Sequence, residues 1–163
     1  MKARIYLEKS GPQDFDSFST LTGNELVMAK ITERPLSEEE ARKKFSSLLR
    51  NNQGHPALGS FKVLEDPGDR FLGFAKLELA EEKADEAELG FMLLPEVWGK
   101  GFGNEIARLL LEVARSVPQL KRVYAIIDPD NQASRKILIN NAFISEELTT
   151  IDGLPAEILA RSV

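Results

Sequence analysis

The feature that most constrains the fold is a set of three alternating glycines, Gly99, Gly101 and Gly103, between two different apolar patterns. The segment Leu89 to Leu94 is apolar like a buried strand, and Ile106 to Val117 repeats with the period of a helix. Glycines in such a turn let the backbone approach a ligand, and the helix start presents unpaired N–H groups at its positive end. The pattern predicts a phosphate or pyrophosphate site, although a tight connection without a ligand has the same appearance.

Two well-known phosphate loops do not match this segment. The dinucleotide-binding loop requires the pattern G-x-G-x-x-G, and Asn104 stands where its third glycine would be. The Walker loop requires a serine or threonine after its lysine, whereas Lys100 is followed by Gly101. The glycines therefore indicate an anion site of another kind.

Composition narrows the chemistry that is open to the chain. Its 163 residues suit a single domain spanning residues 1–163, and the lack of cysteine excludes disulfides, thiolate metal ligands and thiol nucleophiles. The net charge of −5 argues against nucleic acid as a main partner and is compatible with a cationic substrate. The single histidine, His55, lies in a turn-rich stretch, which favours a surface-loop role over that of a catalytic base. No metal site is predicted.

Neither a membrane span nor a secretion signal is predicted. The chain has no run of about 18 apolar residues, the length that a membrane helix needs. Its first residues, Met1 to Ile5, are followed by Glu8 and Lys9, too soon for the apolar part of a signal peptide. We therefore expect a cytoplasmic protein with no membrane partner, either a monomer or a homodimer.

The order of apolar patterns and turn signals predicts a mixed α/β sheet. Ser37 and Glu40 form a capping box, and Pro12 is well placed at a helix start. Helices are expected at residues 14–21, 24–31, 38–50, 105–117 and 133–141. Strands are expected at residues 4–7, 57–64, 71–79, 84–94, 122–127, 144–151 and 154–160, the last two around an Asp-Gly hairpin turn.

Three motifs in the second half of the chain resemble the GNAT superfamily of acetyl-CoA-dependent N-acetyltransferases, and within it the RimJ/RimL-like branch. Trp98 to Gly103 is similar to the family's pyrophosphate loop, Q/R-x-x-G-x-G/A, with the tryptophan that this branch commonly shows at the first position. Glu88 to Leu93 resembles the strand E-I/L-G-Y/F before that loop. Asn131 to Ser134 and Asn141 to Phe143 are similar to the N-x-x-S and G-F segments, with Ala142 replacing the glycine.

The resemblance implies a fold and an acetyl-CoA site. The fold would be of the α+β type, a mixed, mostly antiparallel, twisted sheet of six to seven strands with helices on both faces. Strands four and five would splay apart and admit the pantetheine arm of acetyl-CoA between them. The cofactor-binding residues implied are Met92, Leu93 and Leu94 on strand four, Trp98, Gly99, Lys100, Gly101, Phe102, Gly103 and Asn104 in the loop, and Asn131, Ser134 and Lys136 after strand five.

Acetyl transfer from a thioester to an amine requires a base for the amine proton, donors for the oxyanion and an acid for the departing thiolate. Alternation along the strand puts Glu88 on one face with Gly90 and Met92, which makes Glu88 the candidate base, working through water. An exposed charge at a strand end is the structural alternative. Glu105, in the first helical turn, is expected to stabilise the helix dipole or to cap an N–H group.

The family's usual acid, a tyrosine on the helix after strand five, corresponds to Leu138 here and is absent. Ser134 is therefore the candidate acid, as the resemblance to the RimJ/RimL-like branch implies. The alternative role for Ser134 is a hydroxyl that hydrogen-bonds the backbone at the helix start.

No motif defines the acceptor, since the family builds that site from the first helices and the final hairpin. The leading expectation is an N-acetyltransferase that acts on a primary amine, either a protein N-terminus or a small molecule, by direct attack on the thioester. A polyamine or aminoglycoside acceptor is the nearest alternative. A non-catalytic acyl-CoA-binding regulatory module is the alternative from another class.

Overall fold

The computed structural model describes residues 4–80 and 83–163 of the chain. Met1 to Ala3, which belong to the N-terminal segment considered for a secretion signal, lie outside the described residues. The strands are β1 (Ile5–Lys9), β2 (Gly59–Glu65), β3 (Phe71–Ala80), β4 (Lys83–Leu93), β5 (Arg122–Ile127), β6 (Ile144–Ile151) and β7 (Leu154–Ser162). The helices are α1 (Phe15–Thr22), α2 (Glu25–Met28), α3 (Glu38–Gln53), α4 (Phe102–Arg115) and α5 (Gln132–Asn140).

The seven strands form one sheet in the order β1-β2-β3-β4-β5-β7-β6. Every neighbouring pair is antiparallel except β4 and β5, which are parallel. These two strands pair only from Glu86 opposite Arg122 to Glu88 opposite Tyr124, although β4 runs on to Leu93. The mixed, mostly antiparallel sheet with a splay between strands four and five is therefore confirmed.

Helices cover both faces of this sheet. On one face α1 and α3 pack against β3, where the Phe18 ring centroid lies 5.3 Å from that of Phe45 and 5.6 Å from that of Phe74. On the other face α4 buries Ile106 and Leu110 in a second, larger core. Burial of such side chains contributes roughly 1.5–3 kcal/mol each. The cores hold β3 and β4 rigidly, and the site lies where β4 leaves β5.

The capping box at α3 forms as predicted. Ser37 Oγ accepts the N–H of Glu40 at 3.2 Å, and Glu40 Oε1 accepts the N–H of Ser37 at 3.0 Å. Two of the four N–H groups that a helix start leaves unpaired or exposed are thereby satisfied. This fixes the start of the helix that covers the face of the sheet beside the site.

Two helix boundaries differ from the prediction for reasons that lie in the backbone. α4 begins at Phe102, not at 105, because Gly101 takes the left-handed conformation as N-cap, with a φ of 85°, and the next residues join the first turn. α2 ends at Met28, not at 31, because the N–H groups of Ile31, Thr32 and Glu33 all fold back onto its carbonyl oxygen. Glu33 has a φ of 66°, which no helix continues.

Candidate active site

A cavity of about 740 Å³ opens where β4 and β5 diverge. Its walls come from β3, β4 and β5 and from α1, α3, α5 and the turn between β6 and β7. Four predicted site residues lie on its wall, namely Glu88, Met92, Asn131 and Ser134. The others lie outside this wall, namely Leu93, Leu94, Lys136 and the loop residues 98–104.

Glu88 lies in the middle of β4 with its carboxylate at the cavity wall. Its Oε2 is 3.2 Å from the Nζ of Lys76 on β3, and 26% of the side chain remains exposed. Glu78 of β3 stands directly opposite Glu88 in the strand register. A partly buried carboxylate that water reaches from the cavity fits a base for an amine proton. The strand-end alternative does not apply to a residue at this position.

Tyr124 of β5 is a nearby residue that the sequence analysis missed. It is the register partner of Glu88 in the last β4–β5 pair before the splay. Burial, together with the carboxylates of Glu88 and Glu86, raises the pKa of Tyr124 above its ordinary value. The phenol therefore stays protonated beside the candidate base. A tyrosine within an otherwise apolar predicted strand was the signal that could have drawn attention to it.

The start of α5 brings Asn131 and Ser134 to the opposite wall. Asn131 is the N-cap, and its Oδ1 accepts the N–H of Ser134 at 3.2 Å. Its side-chain nitrogen is thereby oriented away from the capped turn. The hydroxyl of Ser134 makes no recorded hydrogen bond to any described residue, so it does not bond the helix backbone. Leu138 lies one turn further, 1% exposed, on the same wall.

Beyond Glu88, one edge of β4 faces the gap. Leu94 donates its N–H to Leu72 O of β3 at 2.9 Å, and the carbonyl of Met92 points towards Gly73 of β3. Because backbone direction alternates along a strand, Leu93 and Phe91 direct their polar groups to the gap instead. The Met92 carbonyl and the Leu94 N–H thus face β3, and the pantetheine-binding role of Met92, Leu93 and Leu94 stays a prediction.

The glycine loop, residues 99–104, has enough unpaired backbone N–H groups to bind a diphosphate. Gly99 and Gly101 have φ values of 74° and 85°. None of the N–H groups of residues 99–104 donates a recorded hydrogen bond within the described parts of the chain. Trp98 joins this loop to β4, since its indole N–H donates to Leu93 O at 2.9 Å. Consecutive unpaired N–H groups at a helix start are the donor set that diphosphate oxygens require.

Other loop residues tie α4 to its neighbours. A Cβ on Gly103 would lie 2.7 Å from Ile137 Cδ1 and 3.2 Å from Phe91 Cε2, so a larger residue there would displace the end of the Ile137 side chain. Asn104 Oδ1 accepts a hydrogen bond from Asn141 Nδ2 at 2.8 Å, which leaves the backbone N–H of Asn104 for a ligand. Lys100 and Lys136 have exposed side chains.

Glu105 has a specific partner that the sequence analysis did not foresee. Its carboxylate accepts hydrogen bonds from the Nε of Arg4 at 2.6 Å and from the backbone N–H of Arg4 at 3.1 Å. Arg4 also donates to Lys100 O at 2.8 Å. Through Arg4, which precedes β1, Glu105 also connects the start of the chain's first strand to the loop. The dipole role of Glu105 stays a prediction. No local sequence signal connects residues 101 positions apart.

The far side of the cavity is built by α1 and by the β6–β7 turn. Thr22 of α1 lies on this wall, 2% exposed, and its Oγ1 has no hydrogen-bond partner among the described residues. Asp152 of the turn lies on the wall as well. A buried hydroxyl without a hydrogen-bond partner is uncommon in proteins.

Three further observations concern His55, metal ligands and membrane helices. His55 Nδ1 accepts the N–H groups of Ala57 and Leu58, at 3.0 and 3.2 Å, so it stabilises a loop outside the cavity, as predicted. Within residues 4–80 and 83–163 no group of three or more potential ligand side chains is arranged to hold a metal ion. None of the described helices has the length and apolar character needed to cross a membrane.

The fold and the site share three features. A cavity opens where β4 and β5 of the mixed sheet diverge, β4 carries the carboxylate of Glu88, and the loop after β4 presents unpaired N–H groups. A family model described as "Acetyltransferase (GNAT) domain" matches residues 4–144. The chain belongs to this GNAT acetyltransferase family.

Relatives and solved structures agree with this assignment. The "Uncharacterized N-acetyltransferase p20" of Bacillus licheniformis is 22% identical over 145 residues, 89% of this chain and 82% of p20. A spermidine N-acetyltransferase from Vibrio cholerae, in complex with CoA and spermine, superposes with a TM-score of 0.81 at 18% identity over 99% of this chain and 96% of that one. RimL, a ribosomal alpha-N-protein acetyltransferase in complex with coenzyme A, has a TM-score of 0.80 at 17% identity, with 99% and 96% covered. The TM-scores of these two superpositions show the shared fold.

Proposed function

We propose that this protein transfers an acetyl group from acetyl-CoA to a primary amine, carried by a small molecule or by a protein N-terminus. One observation carries the proposal. A single cavity joins the carboxylate of Glu88 to the gap beside β4, and that strand leads directly into a loop of unpaired N–H groups. Acetyl-CoA has its parts in the same order, namely the thioester, the pantetheine arm and the diphosphate.

Acetyl-CoA supplies the activated carbonyl carbon that the amine attacks. The N–H groups of residues 99–104 would hold its diphosphate, and the β4 edge would pair with its pantetheine arm through Phe91 and the N–H of Leu93, since Leu93 O accepts the Trp98 indole N–H. The side-chain nitrogen of Asn131 would donate to the same arm from the opposite wall. Trp98, Phe102, Gly103 and Asn104 shape the loop, and Lys100 and Lys136 would add positive charge near the phosphates.

Three residue groups would perform the transfer. The amine must lose a proton, because an α-amine titrates near ~8 and a lysine amine near ~10.4, and Glu88 would accept it through water. A backbone N–H on the gap side of β4 would donate to the oxyanion that forms on the carbonyl. The Ser134 hydroxyl, which has no recorded partner within the described chain, would donate a proton to the departing thiolate.

The acceptor class is the open part of the proposal. The W-G-x-G loop of Trp98 to Gly101 supports the RimJ/RimL-like branch, and RimL itself acts on a protein N-terminus. The Vibrio cholerae structure holds spermine, which keeps a polyamine acceptor as the alternative. Leu138, at the position of the usual tyrosine, favours a second candidate function, an acyl-CoA-binding module without turnover.

The direct test is release of free thiol from acetyl-CoA in the presence of N-terminal peptides, amino compounds, polyamines and aminoglycosides. We expect turnover with at least one amine class, and mass spectrometry of the product should show one added acetyl group on nitrogen. Binding of acetyl-CoA without turnover across the panel would replace the enzyme by the binding module. Absence of binding would overturn both.

The site of binding is tested with Gly101→Asp, measured by calorimetry with acetyl-CoA. Aspartate tolerates the φ of 85° better than most residues, but its charge would stand beside the diphosphate, so we expect affinity to fall at least about 100-fold. Gly68→Asp is the matched control, because Gly68 also has a positive φ, of 102°, and a Cβ there meets no atom within 4 Å. Equal affinity of the two variants would contradict the assignment of the loop.

A further inference from the structure

A single guanidinium group connects the first strand to the glycine loop. Arg4 donates through Nε to Glu105 Oε2 at 2.6 Å and through Nη2 to Lys100 O at 2.8 Å, and Nη2 also forms an ion pair with Glu105. The guanidinium carbon lies 4.4 Å from the centre of the Phe102 ring. A Cβ on Gly101 would approach Nη2 to 3.2 Å. Arg4 therefore contacts four of the residues that form the loop and the first turn of α4.

The contact with Lys100 O controls the direction of one peptide group. The Lys100–Gly101 peptide is trans, so its C=O and N–H point in opposite directions. When Arg4 holds the carbonyl oxygen, the N–H of Gly101 is directed away from Arg4 and out of the loop. Gly101, on one side of this peptide, has a positive φ and allows it to turn over at small cost, because glycine populates both signs of φ. The hydrogen bond from Arg4 removes that freedom.

The contact with Glu105 controls charge at the same place. The carboxylate is in the first turn of α4 and only 14% exposed, whereas a diphosphate would sit at that helix start. An unpaired carboxylate there would repel the phosphates. The guanidinium of Arg4, whose side chain is 49% exposed, neutralises the Glu105 carboxylate. It contacts both Glu105 and Lys100 O, a two-point contact that lysine cannot make.

We propose that Arg4 is a positioning residue for the donor site, which orients the Gly101 N–H towards the diphosphate and neutralises Glu105 beside it. This inference rests on the proposed use of acetyl-CoA. Arg4 acts through the loop and touches neither the thioester nor the amine. Its loss is therefore expected to change the Michaelis constant for the donor and to leave the turnover number at saturation nearly unchanged.

The test compares two acetyl donors, acetyl-CoA and S-acetylpantetheine, which lacks the diphosphate. With Arg4→Met, we expect kcat/KM for acetyl-CoA to fall about tenfold, the loss expected for one charge-assisted hydrogen bond. The value for S-acetylpantetheine should stay within about twofold of the wild type. Arg4→Lys should give an intermediate loss, because it restores charge without the two-point contact.

Further variants separate orientation of the Gly101 N–H from neutralisation of Glu105, and they provide a control for misfolding. If repulsion dominates, the double variant Arg4→Met with Glu105→Gln recovers acetyl-CoA affinity; if peptide orientation dominates, it does not. Arg115→Met is the control, since Arg115 is exposed at the other end of α4 and makes no recorded contact with a described residue. Should Arg4→Met fail to fold, Arg4→Lys and Glu105→Gln carry the comparison.

Two outcomes would overturn the inference. One is an equal loss with both donors, which would show general damage to the fold. The other is unchanged kcat/KM for acetyl-CoA in Arg4→Met and Arg4→Lys alike. Failure of the wild-type protein to bind acetyl-CoA is a different result, because it would remove the proposed function itself.

Discussion

At the scale of single residues, the site is governed by how Glu88 is surrounded. Lys76 Nζ lies 3.2 Å from its carboxylate, Glu78 stands opposite it on β3, and Tyr124 is its register partner in the last β4–β5 pair. The ion pair with Lys76 holds the Glu88 carboxylate in one position on the cavity wall. The raised pKa of Tyr124 keeps a neutral donor beside it. The ion pair with Lys76 leaves 26% of the Glu88 side chain exposed.

The prediction at this scale concerns Glu88→Gln. The amide has the same shape but accepts no proton, so kcat near pH 7 should fall by about 10²–10⁴-fold while the dissociation constant for acetyl-CoA stays within about twofold. The defect should shrink above the pKa of the acceptor amine, where the substrate is already neutral. Initial rates over a range of pH, with calorimetry for acetyl-CoA, measure both quantities.

Glu78→Gln is the matched control for this experiment. The same chemical change is made on the neighbouring strand, within the same cavity wall, at a residue with no proposed role in proton transfer. Its kcat should fall less than tenfold. A larger loss in Glu78→Gln than in Glu88→Gln would mean that the base has been assigned to the wrong carboxylate.

At the scale of elements, the open edge of β4 depends on its close pairing with β3 on the other side. Gly73 of β3 is buried opposite Leu93, and a Cβ there would stand 2.0 Å from Met92 O and 3.0 Å from Leu93 Cα. Both atoms belong to the backbone and do not move independently of the strand. β4 can therefore lie this close to β3 only because Gly73 has no side chain.

Gly73→Ala should separate these strands. We expect the free energy of unfolding to fall by about 3 kcal/mol, the upper range for overpacking, which corresponds to a melting temperature lower by roughly 6–12 °C. Acetyl-CoA should bind more weakly as well, because Phe91 and Leu93 would shift. Gly54→Ala, with the nearest atom 3.3 Å from its Cβ, is the control and should change the melting temperature by less than about 4 °C.

Calorimetric melting curves for the two variants decide the matter. If Gly73→Ala melts within 2 °C of the wild type, β3 and β4 accommodate the methyl group and the argument about the gap fails. If it melts early but binds acetyl-CoA with unchanged affinity, the strand edge is not part of the donor site.

The elements that could be predicted from the sequence are those with local signals. Ser37 and Glu40 are three residues apart, and the helix that they cap begins where predicted. The start of α4 could not be placed, because a glycine pattern does not tell which glycine takes the left-handed N-cap; only the φ of Gly101 shows that. The direction of the backbone groups of Met92 and Leu94 required the register with β3, which no local pattern provides.

At the scale of the whole molecule, the site is assembled from segments that are far apart in the chain. Motifs on β4, the loop and α5 could be recognised in the sequence because each is contiguous. The pairs Arg4 with Glu105, Lys76 with Glu88, and Glu88 with Tyr124 could not, because each joins different strands or ends of the chain. The unpaired hydroxyl of Thr22 is visible only once α1 covers the sheet.

Proton binding by the folded chain gives a test of this assembly, because both tyrosines of the sequence join separate segments. The hydrogen bond from Tyr6 to Asp69, 2.7 Å long, raises the pKa of Tyr6 to about 12. Burial and the carboxylates of the cleft raise that of Tyr124. The folded protein thus keeps two phenol protons at a pH where the unfolded chain, with pKa values near ~10, releases them.

Stability should therefore fall as pH rises above ~10, since the folded state binds more protons than the unfolded state until its own phenols titrate, for Tyr6 at about 12. Absorbance at the tyrosinate band should show little ionisation near pH 10 in the native protein and half-ionisation there in urea. Asp69→Asn, which suits the φ of 59° at that turn, should lower the native pKa of Tyr6 and leave that of Tyr124 unchanged. Native phenols that both ionise near pH 10 would show that the folded chain does not hold these partners in solution.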